Sequence, residues 1–170
     1  MQNIIFIHGL ESSGTGFKAR LLKKEIPNIL APTFQEATPD ILMYDLLEIR
    51  MKQLISILNT KKKWIIVGSS FGGLMASLFT LNVPYKVNKL ILLAPFLVSR
   101  KLKPAFYNPV DVPVIVFHGS NDKVVAYKQA QERAKRFFTN LEYNIVDDDH
   151  SLHKTVSSLN WKKLMIQQVD

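Results

Sequence analysis

The chain has no cysteine among its 170 residues. That excludes disulfide staples, thiolate metal sites and cysteine nucleophiles, and leaves the redox compartment open. No stretch reaches the ~18 consecutive apolar residues that a membrane-spanning helix requires. No basic leader or small-residue cleavage site precedes the first apolar run, because Met1-Gln2-Asn3 leads directly into Ile4-Ile5-Phe6-Ile7. A cytoplasmic protein without a membrane span is the resulting expectation. Linkers, repeats and low-complexity tracts are also lacking. One domain is therefore expected, of a size that buries about 70% of its unfolded surface.

Acidic residues are in the minority, 14 against 22 Lys and Arg, which leaves a net charge of +8. Such a balance invites a nucleic-acid reading. The cations are scattered, however, rather than gathered in one stripe. The densest run, Lys61-Lys62-Lys63, enters a strand and so belongs to the sheet edge opposite the functional one. A solvated basic surface is the better reading, with no nucleic-acid partner expected.

What is present is an alternation of strand-like and helix-like segments in a chain 47% hydrophobic and 21% charged. Strands are expected at Ile4–His8, Asn28–Pro32, Trp64–Val67, Lys89–Ala94, Val112–His118 and Leu141–Val146. Helices are expected at Thr15–Lys24, Phe71–Leu81, Ala126–Phe138 and over much of Ser151–Gln168, the last broken near Ser157. Thr38-Pro39-Asp40 reads as an N-cap, a proline at N1 and a first-turn acid. The helix behind it carries the stripe Tyr44, Leu47, Met51, Leu54, Ile55 and Leu58 toward a sheet. Continuous apolar strands separated by helices indicate an α/β fold with a parallel sheet covered on both faces. Right-handed crossovers then bring every strand's C-terminal end to one edge, where ligands bind.

Gly68-Ser69-Ser70-Phe71-Gly72 lies between such a strand and such a helix. A G-x-S-x-G sequence in that position is a nucleophile elbow, a sharp turn that exposes the serine hydroxyl at the functional edge. Gly68 and Gly72 let the strand and helix approach closely on either side. Chance produces this pattern in roughly 5% of chains of this length, so the motif needs partners. The alternative is a tight turn that binds phosphate or nothing.

The partners follow in order. Val114–His118 runs into Gly119-Ser120-Asn121-Asp122, which puts Asp122 in a loop at the functional edge. Asp111 precedes the strand and sits at the wrong end. The competing role for Asp122 is an Asx-turn acid. Of the two later histidines, His150 lies just past the last strand, whereas His153 falls on the final helix with a surface or packing role.

The order Ser70, Asp122, His150 is that of α/β-hydrolases. The chain resembles the compact, lid-less bacterial esterases of that superfamily in Phe6-Ile7-His8-Gly9-Leu10, Gly68–Gly73, Phe117–Val125 and Asp149-His150. The resemblance implies a single three-layer sandwich domain over residues 1–170, with a mostly parallel sheet trimmed to six strands. It also implies a serine esterase or thioesterase with an acyl-enzyme on Ser70, and His150 as base oriented by Asp122. The backbone N–H groups of Leu10 and Phe71 would bind the oxyanion, and His8 would shape that loop without a catalytic role. No cofactor or metal is called for. The expected partner is a small ester or thioester. A non-catalytic hydrolase-fold binding or regulatory protein is the alternative.

The stretch at about 96–112 falls where larger relatives carry a lid, and makes a candidate flap. Phe96, Leu97, Phe106 and Tyr107 are its candidate substrate contacts, with Arg100, Lys101 and Lys103 to favour an anionic leaving group. Equally open is a loop whose aromatics pack on the core and whose cations are solvated.

Overall fold

A computed structural model of the protein describes residues 2–61 and 63–166. Met1, Lys62 of the lysine run and Gln168 of the expected final helix lie outside the described residues. Strands β1 (Asn3–Ile7), β2 (Trp64–Ser69), β3 (Val87–Leu93), β4 (Val114–Gly119) and β5 (Leu141–Val146) form one sheet in the order β1-β2-β3-β4-β5, with every pair parallel. Helices are α1 (Phe17–Glu25), α2 (Met43–Leu58), α3 (Phe71–Asn82), α4 (Tyr127–Phe137), α5 (His153–Ser158) and α6 (Trp161–Met165).

The two-residue side-chain period of the strands sorts the core into two layers. Ile5, Ile7, Ile66, Leu90, Leu92, Val114 and Val116 meet residues of α2, α3 and α4. Their neighbours Ile4, Phe6, Ile65, Val67, Ile91, Leu93 and Phe117 meet α1, α5 and α6 on the other face. This is the three-layer sandwich expected of unbroken apolar strands. β2 is buried along its whole length, and α3 behind it is buried on nearly every side. The Ser70 turn therefore joins the two most enclosed elements of the molecule.

The sheet has five strands, not the expected six. Asn28–Pro32 contributes a single parallel bridge, Leu30 to Ile5, outside β1. Leu30 N–H donates to Ile4 O at 2.9 Å, and Phe6 N–H donates to Leu30 O at 2.8 Å. The next rung would need an N–H from position 32, and Pro32 has none. The ladder stops there.

Helix α2 also starts later than the Thr38 cap predicts. Ile41 N–H closes a turn onto Thr38 O at 3.1 Å, and Leu42 is extended before Met43 begins the helix. The Thr38 carbonyl is spent on that turn, and Leu42 takes the N-cap position of α2 without a side-chain cap. On α2, Leu46, Leu47, Arg50, Leu54 and Leu58 are buried, while Ile55 faces outward at 40% exposure. The C-terminal helical segment is split near the expected place, because the Asn160 side chain accepts from Lys163 N–H and caps α6. No helix among the described residues is long and apolar enough to cross a membrane.

Candidate active site

Ser70 follows β2 and occupies the N-cap position of α3 with φ 52° and ψ −113°, a conformation that side-chain-bearing residues avoid. Both of its backbone groups are held: Ser70 N–H donates to Leu93 O at 2.9 Å, and Ser70 O accepts from Phe96 N–H at 3.0 Å. The flanking glycines admit no side chain. A Cβ on Gly72 would lie 2.1 Å from Ile7 O, and one on Gly68 would lie 2.7 Å from Gly72 O. The strain at Ser70 is thereby locked in, and its hydroxyl projects from the C-terminal edge of the sheet.

Asp122 follows β4 and His150 follows β5, which brings both to that same edge. His150 Nε2 lies 2.9 Å from Ser70 Oγ, and His150 Nδ1 lies 2.7 Å from Asp122 Oδ2. A carboxylate only accepts, so Nδ1 carries the proton and Nε2 is free to accept from the Ser70 hydroxyl. The His150 side chain is 23% exposed and that of Asp122 is 0% exposed. The loop carrying His150 is fixed from below by Asp148, whose Oδ2 accepts from both the N–H and the hydroxyl of Thr155 at 2.8 Å.

Asp122 is saturated with donors. Its Oδ1 accepts from Val124 N–H and Val125 N–H, both at 2.8 Å. Its Oδ2 accepts from His150 and from a second imidazole, His118, at 3.0 Å. Burial works to raise the Asp122 pKa, but the bonds from Val125, His150 and Val124 prevail and hold it below its ordinary 3.8. One carboxylate thus closes the Asx-type turn and accepts from the His150 ring.

His118 is fully buried, and its neighbours define its proton. Nε2 faces the acceptors Asp122 Oδ2 and Val125 O, so it bears the hydrogen. Nδ1 then accepts from the Tyr143 hydroxyl at 2.7 Å, and burial with the nearby Asp122 charge pushes that phenol's pKa upward. In the sequence His118 is only the last residue of an expected strand. The available signal was strand alternation, which puts 118 on the same buried face as 114 and 116.

His8 is likewise buried, accepting from Phe34 N–H through Nε2 at 3.0 Å and donating from Nδ1 to Gly9 O at 2.8 Å. Desolvation by burial is the main cause that lowers the pKa of both His8 and His118 below 6.5. Their unfolded counterparts take up protons near pH 6.5, so below that value the unfolded state binds more protons and folding loses free energy. Stability should therefore fall as the pH drops from about 6.5 toward 5. The Asp122 contribution persists over that window, because its pKa lies below 3.8. Chemical denaturation between pH 8 and 5 tests this, and a flat profile would contradict it.

The amides of Leu10, just beyond β1, and Phe71, the first residue of α3, serve as donors in no hydrogen bond among the described residues. Both residues line a cavity of about 520 Å³ beside Ser70 and His150. Phe96 lines it too, as do Phe17, Met43 and Val125, with Lys18 the cation among them. Three of the expected substrate contacts lie elsewhere. Leu97 is fully buried in the core, Tyr107 packs edge-on to Phe137, and Phe106 is 69% exposed with the Lys103 ammonium over its ring. Lys101 pairs with Glu48 at 3.7 Å. After Phe96 the segment runs toward α2 and α4, with the Lys101 ammonium over the Tyr44 ring and Leu102 O accepting from Arg133. His153 stays off the Ser70 line and meets the Phe17 ring at 4.2 Å on the cavity wall. Among the described residues no group of three or more His, Cys, Asp or Glu is placed to hold a metal ion.

A family profile described as an alpha/beta hydrolase domain matches residues 36–170. The chain belongs to the alpha/beta hydrolase superfamily. Solved structures similar to this hydrolase include one from Xanthomonas campestris, a putative hydrolase of the alpha/beta superfamily. It is 23% identical, with TM-score 0.73 and 93% of each chain covered. The ferulic-acid complex of Est1E from Butyrivibrio proteoclasticus is 14% identical, with TM-score 0.76, covering 96% of this chain and 88% of that one. An alpha-beta serine hydrolase homologue from Coxiella burnetii is 17% identical, with TM-score 0.74, covering 98% and 85%. At these identities the likeness is one of fold. A search of curated proteins returned no match.

Proposed function

We propose that this hydrolase is a serine esterase, cleaving carboxylic esters or thioesters through an acyl-enzyme on Ser70. The observation that carries the reading is the unbroken hydrogen-bond line from Ser70 Oγ through His150 to a buried, donor-saturated Asp122. Ser70 Oγ attacks the substrate carbonyl carbon as His150 Nε2 takes its proton, and the carbonyl electron pair moves onto oxygen. The Leu10 and Phe71 amides receive that oxyanion. As the pair returns, the bond to the leaving group breaks, and His150 delivers the proton to it. A water molecule repeats the sequence on the acyl-enzyme, losing its proton to His150 and releasing the acid and the Ser70 hydroxyl. Asp122 stays ionised throughout and holds the imidazolium.

The cavity beside Ser70 suits a small substrate with an apolar part, since Phe17, Met43, Phe71 and Phe96 form its walls. A fluorophosphonate probe tests nucleophilicity without knowledge of the substrate. Labelling should occur at Ser70 alone, as mapped by peptide mass spectrometry, and should cease in acid-unfolded protein. A folded chain that takes no label, or takes it at another residue, would refute the reading.

A further inference from the structure

Arg50 lies on the buried face of α2 between Leu47 and Leu54 and is fully buried. No carboxylate is within ion-pair distance of it among the described residues. Its guanidinium donates instead to three main-chain carbonyls: Nε to Gln35 O at 2.7 Å, Nη2 to Leu10 O at 2.9 Å and Nη1 to Gly9 O at 3.3 Å. The same guanidinium stands over the Phe71 ring, 5.5 Å from its centroid.

A buried cation without a counter-ion is a costly way to join a helix to a loop. An apolar side chain at position 50 would extend the Leu47–Leu54 stripe with no such desolvation. What the cation touches gives the reason for its presence. Gly9 C=O and Leu10 N–H belong to one planar peptide, so whatever grips the carbonyl also aims the N–H. Three donors converge on that carbonyl: Arg50, His8 Nδ1 at 2.8 Å and Ser12 N–H at 3.4 Å. Hydrogen bonding at the carbonyl polarises the amide and strengthens its N–H as a donor. Leu10 N–H is thereby presented as a polarised donor beside Ser70, with the cation behind it.

We infer that Arg50 is a positioning residue for the oxyanion site, orienting the Leu10 amide from its carbonyl side and backing Phe71, whose amide is the second donor. The inference rests on the hydrolase reading above. In the transition state the negative charge on oxygen is stabilised by the aligned amides and by the enclosed positive charge behind them. The ground-state carbonyl draws much less on either, so the effect belongs in kcat and not in KM.

The test compares Arg50→Met and Arg50→Lys with the wild type on a short p-nitrophenyl ester, with rates divided by the fluorophosphonate-titrated Ser70. Affinity for an alkyl boronic acid, which forms a tetrahedral adduct on the serine, is measured in parallel. Arg50→Met should lower kcat about 30- to 300-fold, on the scale of a lost oxyanion donor, with KM within about threefold. Boronic-acid affinity should fall by a similar factor. Arg50→Lys keeps the charge but loses the three-way fork, and should fall between the two. A kcat per titrated site within about threefold of wild type in Arg50→Met would overturn the inference. So would a loss in kcat unmatched by boronic-acid affinity. If Arg50→Met does not fold, Arg50→Lys decides. A loss near tenfold in both measures supports the role, and wild-type kcat per titrated site refutes it. A wild-type chain that neither turns over ester nor takes label at Ser70 would remove the hydrolase reading and this inference together.

Discussion

Ser70→Ala should reduce turnover of a short p-nitrophenyl ester by about 10⁵- to 10⁶-fold. The residual rate would come from the oxyanion amides and substrate binding alone. The loss follows from chemistry, since alanine has no atom to form the acyl bond. The fold should be nearly untouched. Ser70 makes no side-chain cap to α3, and its N–H and C=O bonds belong to the main chain. Alanine keeps the Cβ and so keeps the same backbone strain at φ 52°. The change in stability should be within about 1 kcal/mol, the value of the one hydrogen bond lost to His150. Initial rates with a coumarin or p-nitrophenyl ester, together with a thermal melt, measure both quantities. A folded Ser70→Ala protein that turns over ester at more than about a tenth of the wild-type rate would end the serine mechanism.

Asp122→Asn is expected to reduce turnover by about 10⁴-fold, through a forced change of tautomer. The site dictates which way the new amide faces. Oδ1 accepts from the Val124 and Val125 N–H groups, so the amide oxygen must occupy that position. Its NH₂ then points at the two imidazoles where Oδ2 had been an acceptor. His150 can meet a donor only by placing its lone pair on Nδ1 and its proton on Nε2. That nitrogen faces Ser70 Oγ at 2.9 Å, and a protonated Nε2 cannot remove the hydroxyl proton. His118 Nε2 would then face the new NH₂ on one side and the unchanged Val125 O on the other, so it can satisfy only one of them. The consequence is specific: ester turnover and fluorophosphonate labelling should both collapse, while the protein stays folded. Turnover within about tenfold of wild type would show that Asp122 does not set the imidazole's tautomer.

The elements that give the site its order were legible in the sequence because their signals are local. Apolar runs marked β1 to β5, and the glycines around Ser70 marked a turn where two backbones touch. Asp122 and His150 could be chosen because each follows a strand, and parallel strands must deliver their ends to one edge. Arg50 and His118 were not legible in the same way. A cation inside an apolar helical stripe and a histidine on a buried strand face are visible anomalies, but neither shows what meets it. Of the four candidate flap contacts only Phe96 lines the cavity, for a related reason. Phe96, Leu97, Phe106 and Tyr107 share one apolar character, and only the path of the chain separates the cavity wall from core and solvent. The missing sixth strand turned on a single absent N–H at Pro32, which is visible only once the register against β1 is known.

By itself, the amino-acid order determined an α/β sandwich and the candidate nucleophile, acid and imidazole, since periodicity, turn chemistry and chain order are properties of neighbouring residues. The tertiary structure alone decided that Asp122 serves two histidines, that a buried guanidinium grips the Gly9-Leu10 peptide, and which aromatic residues reach the cavity. Those outcomes depend on distances of about 3 Å between residues far apart in the chain, and hydrogen bonds weaken steeply once that distance is exceeded.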